Sequence, residues 1–318
     1  MTVRKGDDTL MVDPKEGAGA NSGASISLEP KMPRQATLSH ESPHATVDFG
    51  PGAGCVIGVD LGGTKCHGVL ADFAGTTLHE DLRPTKSAGS PLGTLINVID
   101  SLRATAEGQA IPVEAVAIGV PAIVDPDTGV ATGGANVGWQ DFPINAELAT
   151  HMTVPFVVQN DVRLAALAHA WRGDGRASSD FAVLSIGTGI GAALVMDGRL
   201  VRGHHNAAGE VGFLLLNRSQ VRGFKSVETG GFERLASGPA IAVRAKKRIA
   251  SSAVPTVLRD GPVTTERVFA AAEGGDLIAN KIVDEACDHI GMGIVALSTI
   301  CDLELVILEG SVGRALQP

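Results

Sequence analysis

Cysteine is scarce: four residues in 318, at positions 55, 66, 287 and 301, with no Cys-x-x-Cys pair. That spacing excludes a disulfide framework or a zinc ribbon and leaves buried or idle thiols of a reducing compartment. No stretch approaches the roughly 18 consecutive apolar residues that span a bilayer, and the amino terminus has no signal-peptide apolar segment. A soluble, cytoplasmic chain without a membrane partner is expected. Positive charge is short as well. Twenty-six Lys and Arg against 35 Asp and Glu leave a net charge of −9, which argues against nucleic acid as a partner, since that surface needs a basic stripe. An acidic protein that binds phosphate must use local backbone amides and metal.

What is present is glycine and apolar residue. Hydrophobic residues make up 44% and charged residues 19%, with 40 glycines in no collagen-like period. Most of the chain is therefore globular, with many tight turns, and its length suits two compact lobes. Residues 1–53 are polar, rich in Gly, Pro and Ser, and without sustained periodicity, and read as a disordered leader. Its acids Asp7, Asp8, Asp13 and Glu16 weigh against a transit peptide.

The folded part opens with "CVIGVDLGGTKCHGVLADFAGTTL", two apolar β-branched runs around Gly62-Gly63 that predict a hairpin and a third short strand. "SPLGTLINVIDSLRATAEG" predicts a helix behind a Ser90 cap and Pro91. "VEAVAIGVPA" is a buried strand, "INAELATHM" a short helix, "VPFVVQND" a strand and "VRLAALAHAWRG" a helix. The plan then restarts. "SDFAVLSIGTGIGAALVMDGRLVRG" is again a glycine hairpin, with an Asp197-Gly198 turn, followed by a "GEVGFLLL" strand, helical stretches over "ERLASGPAIAVRAKKRIA" and "TTERVFAAAEGGDLIANKIVDEACDHIGMGIVALSTI", and a last strand "ELVILEG". The reading is α/β, with a weak internal duplication and a nucleotide between its halves.

Asp60-Leu61-Gly62-Gly63-Thr64-Lys65 sets an acid at a strand end before two residues without side chains. Amides there can approach a phosphate, with the carboxylate near enough to hold Mg²⁺ through water; a plain hairpin turn is the alternative. The second loop, Gly187-Thr188-Gly189-Ile190-Gly191, has the wrong spacing for a dinucleotide fingerprint and leads into a strand, and the first has Thr-Lys in the wrong order for a Walker A loop. "VVQNDVRLAALAHA" runs a strand into Asn160-Asp161 and directly into a helix. Asp161 is either a base for phosphoryl transfer to an alcohol, with Asn160 holding an adjacent hydroxyl, or a helix cap. Asn136, beside Trp139 in "GGANVGWQD", suits either a polyol or an ordinary turn.

Taken in order, "VIGVDLGGTK", "GVPAIVDPDTGV" with "NVGW", "VVQNDVRLAALA", "LSIGTGIGAALVMDGRLVRG", "NAAGEVGF", "GGFERLASGPAI" and "LVILEGSVGRA" closely resemble the ROK (repressor, open reading frame, kinase) family of sugar kinases, over roughly residues 55 to 314. The resemblance implies the actin-like ATPase fold, two ribonuclease-H-like lobes with a cleft between them, here 54–176 and 177–318. It implies an ATP-dependent hexokinase acting on glucose or a related hexose, with Asp161 as base toward the hydroxymethyl oxygen. Asn136, Asn160, Asp161, Glu210 and Glu233 would bind the sugar. Gly62, Gly63, Thr64 and Lys65, with Gly187, Thr188, Gly189, Gly191 and Gly310, would embrace ATP, and Asp60 would stand near Mg²⁺. A homodimer is implied too.

The chain departs from the family pattern in three ways. The family's histidine three residues after the first glutamate is Phe213, and its three cysteine places, aligned on Glu233, are Phe224, Ser226 and Gly231. With all four ligands gone no zinc is expected, His204 and His205 read as surface residues, and Phe213 reads as an apolar contact in place of a metal-held loop. The chain stops at Pro318, where relatives continue over the adenosine, which implies an incomplete second lobe. "LEGS" puts Glu309 where the family prefers glycines. A catalytically inactive sugar binder and a sugar-responsive regulator are the rival functions; residues 1–53 show no winged helix-turn-helix for the latter.

Overall fold

The first strand, β1 (Cys55–Leu61), alternates buried Cys55, Ile57, Val59 and Leu61 with more accessible residues, the period-2 pattern of a sheet strand. The computed structural model describes residues 54–217, 220 and 230–316; the 1–53 leader and positions 224 and 226 lie outside them. Among the described residues the chain divides into two compact units at Trp171/Arg172.

In the first unit β1 turns through the 62–64 loop into antiparallel β2 (Lys65–Asp72), which pairs with β3 (Thr77–Pro84). Helix α1 (Pro91–Gly108) crosses back to β4 (Val113–Val120), parallel to β1. Ser90 caps it, the Gly93 amide donating to Ser90 Oγ at 3.0 Å. Its buried face, Leu95, Val98, Ile99 and Leu102, lies on the sheet at Gly68, where an added Cβ would stand 2.3 Å from Val98 Cγ1. Any larger residue there would lift the helix off. A small hairpin, β5 (Ile123–Val124) and β6 (Ala131–Thr132), and helix α2 (Ile144–Ala149) precede β7 (Phe156–Asn160), parallel to β4, and α3 (Asp161–Arg172). The sheet order is β3-β2-β1-β4-β7.

The second unit repeats the scheme. Strand β8 (Phe181–Ile186), buried except for Ser185, pairs antiparallel with β9 (Ile190–Met196), and β10 (Arg199–Leu200) follows a turn at Asp197 and Gly198, both at positive φ, as a tight two-residue hairpin requires. After helices α4 (Glu233–Ala236), α5 (Gly238–Ser251), α6 (Thr265–Glu273) and α7 (Leu277–Cys301), strand β11 (Leu305–Glu309) returns parallel to β8 and ends in α8 (Gly310–Ala315). Its described sheet runs β10-β9-β8-β11, the order of the first sheet up to its fourth strand. Phe232, fully buried, fits against Gly293 of α7 and anchors the helices to the core.

The structure departs from two sequence expectations. "GEVGFLLL" is no strand: Val211–Phe213 is a 3-10 turn. Gly212 explains it, since its backbone lies so close to β9 that an added Cβ would be 2.5 Å from the Ile190 carbonyl oxygen. Each long helical stretch is also broken in two. Ser237 takes an extended conformation and caps α5, and Asp276 caps α7, accepting from the Ile278 and Ala279 amides at 3.0 Å.

Candidate functional site

In the first unit, parallel pairing brings the carboxyl ends of β1, β4 and β7 to one edge of the sheet. Asp60 stands opposite Gly119, and Gly119 opposite Gln159, one residue before Asn160. Strand spacing sets β1 and β7 about 10 Å apart. Gly119, on the strand between them, lets the residues that follow β7 pack closely: an added Cβ would lie 3.5 Å from the Asp161 Cα and 3.3 Å from Leu164 Cδ1. Strand ends of open α/β sheets are where ligands bind.

Asn160, not Asp161, caps α3. The Arg163 amide donates to Asn160 Oδ1 at 3.2 Å, the i to i+3 geometry of an N-cap, and Asn160 Nδ2 donates to the Ala122 carbonyl at 3.4 Å. Asp161 is half-buried in the first turn, its Oδ1 accepting from the adjacent Val162 amide at 2.8 Å. One carboxamide therefore fixes the helix start and ties it to the loop after β4. The carboxylate at the same junction is carried on a rigid support.

The 62–65 loop is equally well held. The Gly62 amide donates to the Lys65 carbonyl at 2.8 Å, and the hydroxyl of buried Thr85 donates to the Gly62 carbonyl at 2.7 Å. Gly63 lies against Asn136, an added Cβ falling 3.0 Å from the Asn136 Cβ, so the loop and Asn136 are neighbours. Thr64, Lys65 and Asn136 are exposed. Trp139 is not: it is buried and stacks on Phe142 at 4.9 Å, so it shapes the Asn136 loop from beneath and is not available to a polyol.

Asp60 reaches solvent, yet the surrounding protein desolvates its carboxyl and holds its pKa above the ordinary aspartate range, an effect His67 on the paired strand opposes. Such a group gains more than a solvated aspartate when a cation arrives, so the donor suits a hydrated Mg²⁺. Beside it, burial and the Asp60 and Asp81 charges push the Cys66 thiol up to about 12. It stays protonated, an inert core residue.

In the second unit the 187–191 loop sits at the end of β8. The Gly187 amide donates to the Gly189 carbonyl at 2.9 Å, and the Gly187 carbonyl accepts from the Gly238 amide at 2.8 Å, tying the loop to the start of α5. Gly310, at φ +80°, passes so near that an added Cβ would lie 2.4 Å from the Ile186 carbonyl oxygen. Glu233 closes the other end of the loop, its Oε2 accepting from the Ile190 amide at 3.1 Å. Glu210 precedes the Val211–Phe213 turn, next to Gly209, whose carbonyl accepts from the Ala192 amide of β9 at 2.7 Å. The second-unit candidates thus gather around one strand end. Glu309 is engaged with the Gly310 amide and with Arg314, whose Nη1 donates at 3.1 Å, so its charge is paired.

A zinc site of the family type does not fit these residues. A side chain at position 231 would set its Cβ 2.5 Å from the Leu214 carbonyl oxygen, leaving no room for a cysteine, and the phenyl ring of Phe213 offers no ligand. Phe213 is 43% exposed, so it does not make the buried apolar contact its sequence suggests. His204 and His205 stack edge to face on the surface. Sequence reasoning missed Thr85 and Gly119. Thr85 carries no motif, whereas Gly119 left a signal, a glycine inside a strand.

A glucokinase of Halalkalibacterium halodurans is 29% identical over 267 residues, 81% of this chain and 81% of its own. A xylose repressor of Caldicellulosiruptor bescii is 27% identical over 262 residues, 80% of this chain but 65% of the repressor. Among solved structures, a ROK family glucokinase from Streptomyces griseus in complex with glucose and AMPPNP superimposes with a TM-score of 0.69 at 27% identity, over 82% of this chain and 85% of that one. No helix among the described residues is long and apolar enough to cross a membrane. The fold is that of actin-like ATPases, and since residues 56–317, which take in both glycine loops and every candidate residue, match the ROK family, the chain belongs to that family.

Proposed function

We propose that the chain is an ATP-dependent hexose kinase, acting in the cytoplasm as a homodimer, that transfers the γ-phosphoryl group to the hydroxymethyl oxygen of glucose or a related hexose. Asp161 is the general base. It accepts the hydroxyl proton as the oxygen–phosphorus bond forms and the bond from phosphorus to the β,γ-bridging oxygen breaks, releasing ADP. The observation that supports the reading is the capping of α3 by Asn160, with the Asp161 carboxylate in the first turn of the same helix.

Asn136, Asn160, Glu210 and Glu233 orient the sugar hydroxyls, and the amides of the 62–65 and 187–191 loops, with Gly310, hold ATP. Asp60 would hold Mg²⁺ through water; the ion, when bound, offsets phosphate charge. The similarity to a xylose repressor supports a second reading, a sugar binder without catalysis. A pure binder has no need of a base, so the Asp161 arrangement favours the kinase. Incubation with ATP, Mg²⁺ and a panel of glucose, mannose, fructose, N-acetylmannosamine and N-acetylglucosamine is expected to release ADP with at least one sugar. ADP release with none of them would leave the binder.

A further inference from the structure

Two stretches that carry the sugar-binding acids, the turn after Glu210 and the start of α4 at Glu233, meet backbone to backbone. An added Cβ at Gly230 would lie 2.1 Å from the Gly212 carbonyl oxygen, and one at Gly231 would lie 2.5 Å from that of Leu214. Gly212 lies in turn against the Ile190 carbonyl, and its added Cβ would be 3.4 Å from Glu233 Oε2. Such contacts place the strands of chain closely, but they supply little directional bonding of their own.

Gln220 supplies directional bonds across this contact. Gln220 Oε1 accepts from the Leu216 amide at 2.8 Å and the Asn217 amide at 3.2 Å, while its Nε2 donates to the Gly231 carbonyl at 2.6 Å. Asn217 Oδ1 accepts from the Gln220 main-chain amide at 3.1 Å, so the backbone that carries the carboxamide is tied to the same segment. Only a carboxamide offers an acceptor for two amides and a donor for a carbonyl at the same reach; glutamate lacks the donor and methionine lacks both. The Gly231 carbonyl lies two residues before Glu233, whose carboxylate is engaged by Ile190.

We propose that Gln220 is a positioning residue for sugar recognition: its carboxamide fastens the Glu233 turn to the segment following Glu210, fixing both acids relative to β9. The inference rests on the kinase reading for the roles of the two glutamates. It concerns sugar affinity, not ATP, since no bond of Gln220 reaches the 187–191 loop except through Glu233.

The test compares the full chain with Gln220→Met, which has similar length and no strong hydrogen bond, and Gln220→Glu, which keeps only the acceptor. Two independent readouts are taken: amide hydrogen exchange of Leu216 and Asn217, and steady-state kinetics with calorimetric titration of the hexose. The expected result is exchange at those amides faster by about tenfold or more in Gln220→Met, which removes their acceptor, and little changed in Gln220→Glu, which keeps it and loses only the bond to the Gly231 carbonyl. The KM and Kd for the hexose rise about tenfold, with the ATP KM within about twofold of the parent and kcat changed less than the hexose KM. Unchanged exchange in Gln220→Met would overturn the clamp. Faster exchange with unaltered hexose constants, or kcat, both KM values and thermal stability falling together, would overturn the positioning role. If the parent phosphorylates no hexose the kinase reading fails separately, and the calorimetric Kd alone then decides for or against Gln220; a parent that also binds none overturns both.

Discussion

A carboxylate held above its ordinary pKa is a strained anion at rest and a strong donor once a cation is near. Asp60 is in that position through desolvation by the protein around it. The folded state binds its proton more tightly than the unfolded chain, so the group's stabilising share is complete below the unfolded value, 3.8, and is lost as pH rises through the raised folded one. Asp60→Asn removes that cost. We predict a Tm at pH 7 equal to or above that of the parent, an advantage that narrows as the pH is lowered toward the ordinary aspartate range, together with a loss of phosphoryl-transfer rate. A lower Tm at neutral pH would contradict it. Asn160→Ala takes away a cap and a tie to Ala122, and is expected to cost about 1–2 kcal/mol in urea unfolding. The sequence left Asp161 divided between cap and base because aspartate serves both at a strand-to-helix junction. In the structure the Arg163 amide donates to Asn160, so the asparagine before it takes the N-cap.

At the level of elements, hairpins and strand ends were the legible part. β-Branched alternation around Gly62-Gly63, the Ser90 cap and the Asp197-Gly198 turn each act within a few residues, and each appears in the structure where the local pattern places it. The segment after Glu210 was misread because its apolar run looks like a buried strand, while its conformation is decided by contacts far along the chain, Gly212 with Ile190 and Gly231 with Leu214. The helix breaks at Ser237 and Asp276 were missed for a related reason: both flanking stretches are helical by composition, and the caps show only once packing has turned the chain. Gly310 joins β11 to α8 at φ +80° against Ile186. Gly310→Ala combines a left-handed conformation with a backbone clash, and is expected to destabilise the second unit by about 2 kcal/mol or more, read as a lower urea midpoint. An unchanged midpoint would mean the strand-to-helix junction can relax.

Across the whole molecule, the repetition of one plan in two units was visible in the sequence as two glycine hairpins leading into α/β segments, and both sheets share an order through their fourth strand. The candidate residues were legible as motifs, and Gly119 left the signal of a glycine inside a strand; Thr85 and Gln220 were not legible, because each acts through a partner distant in sequence. The central claim is that a ROK family chain with this arrangement moves a phosphoryl group to a hexose with Asp161 taking the proton. The most direct measurement is kcat and hexose Kd for the parent and Asp161→Asn, with ATP, Mg²⁺ and the preferred sugar of the panel. The account predicts a kcat lower by about 10²–10⁴-fold with Kd little changed. A full rate in Asp161→Asn accompanied by weaker sugar binding would contradict it.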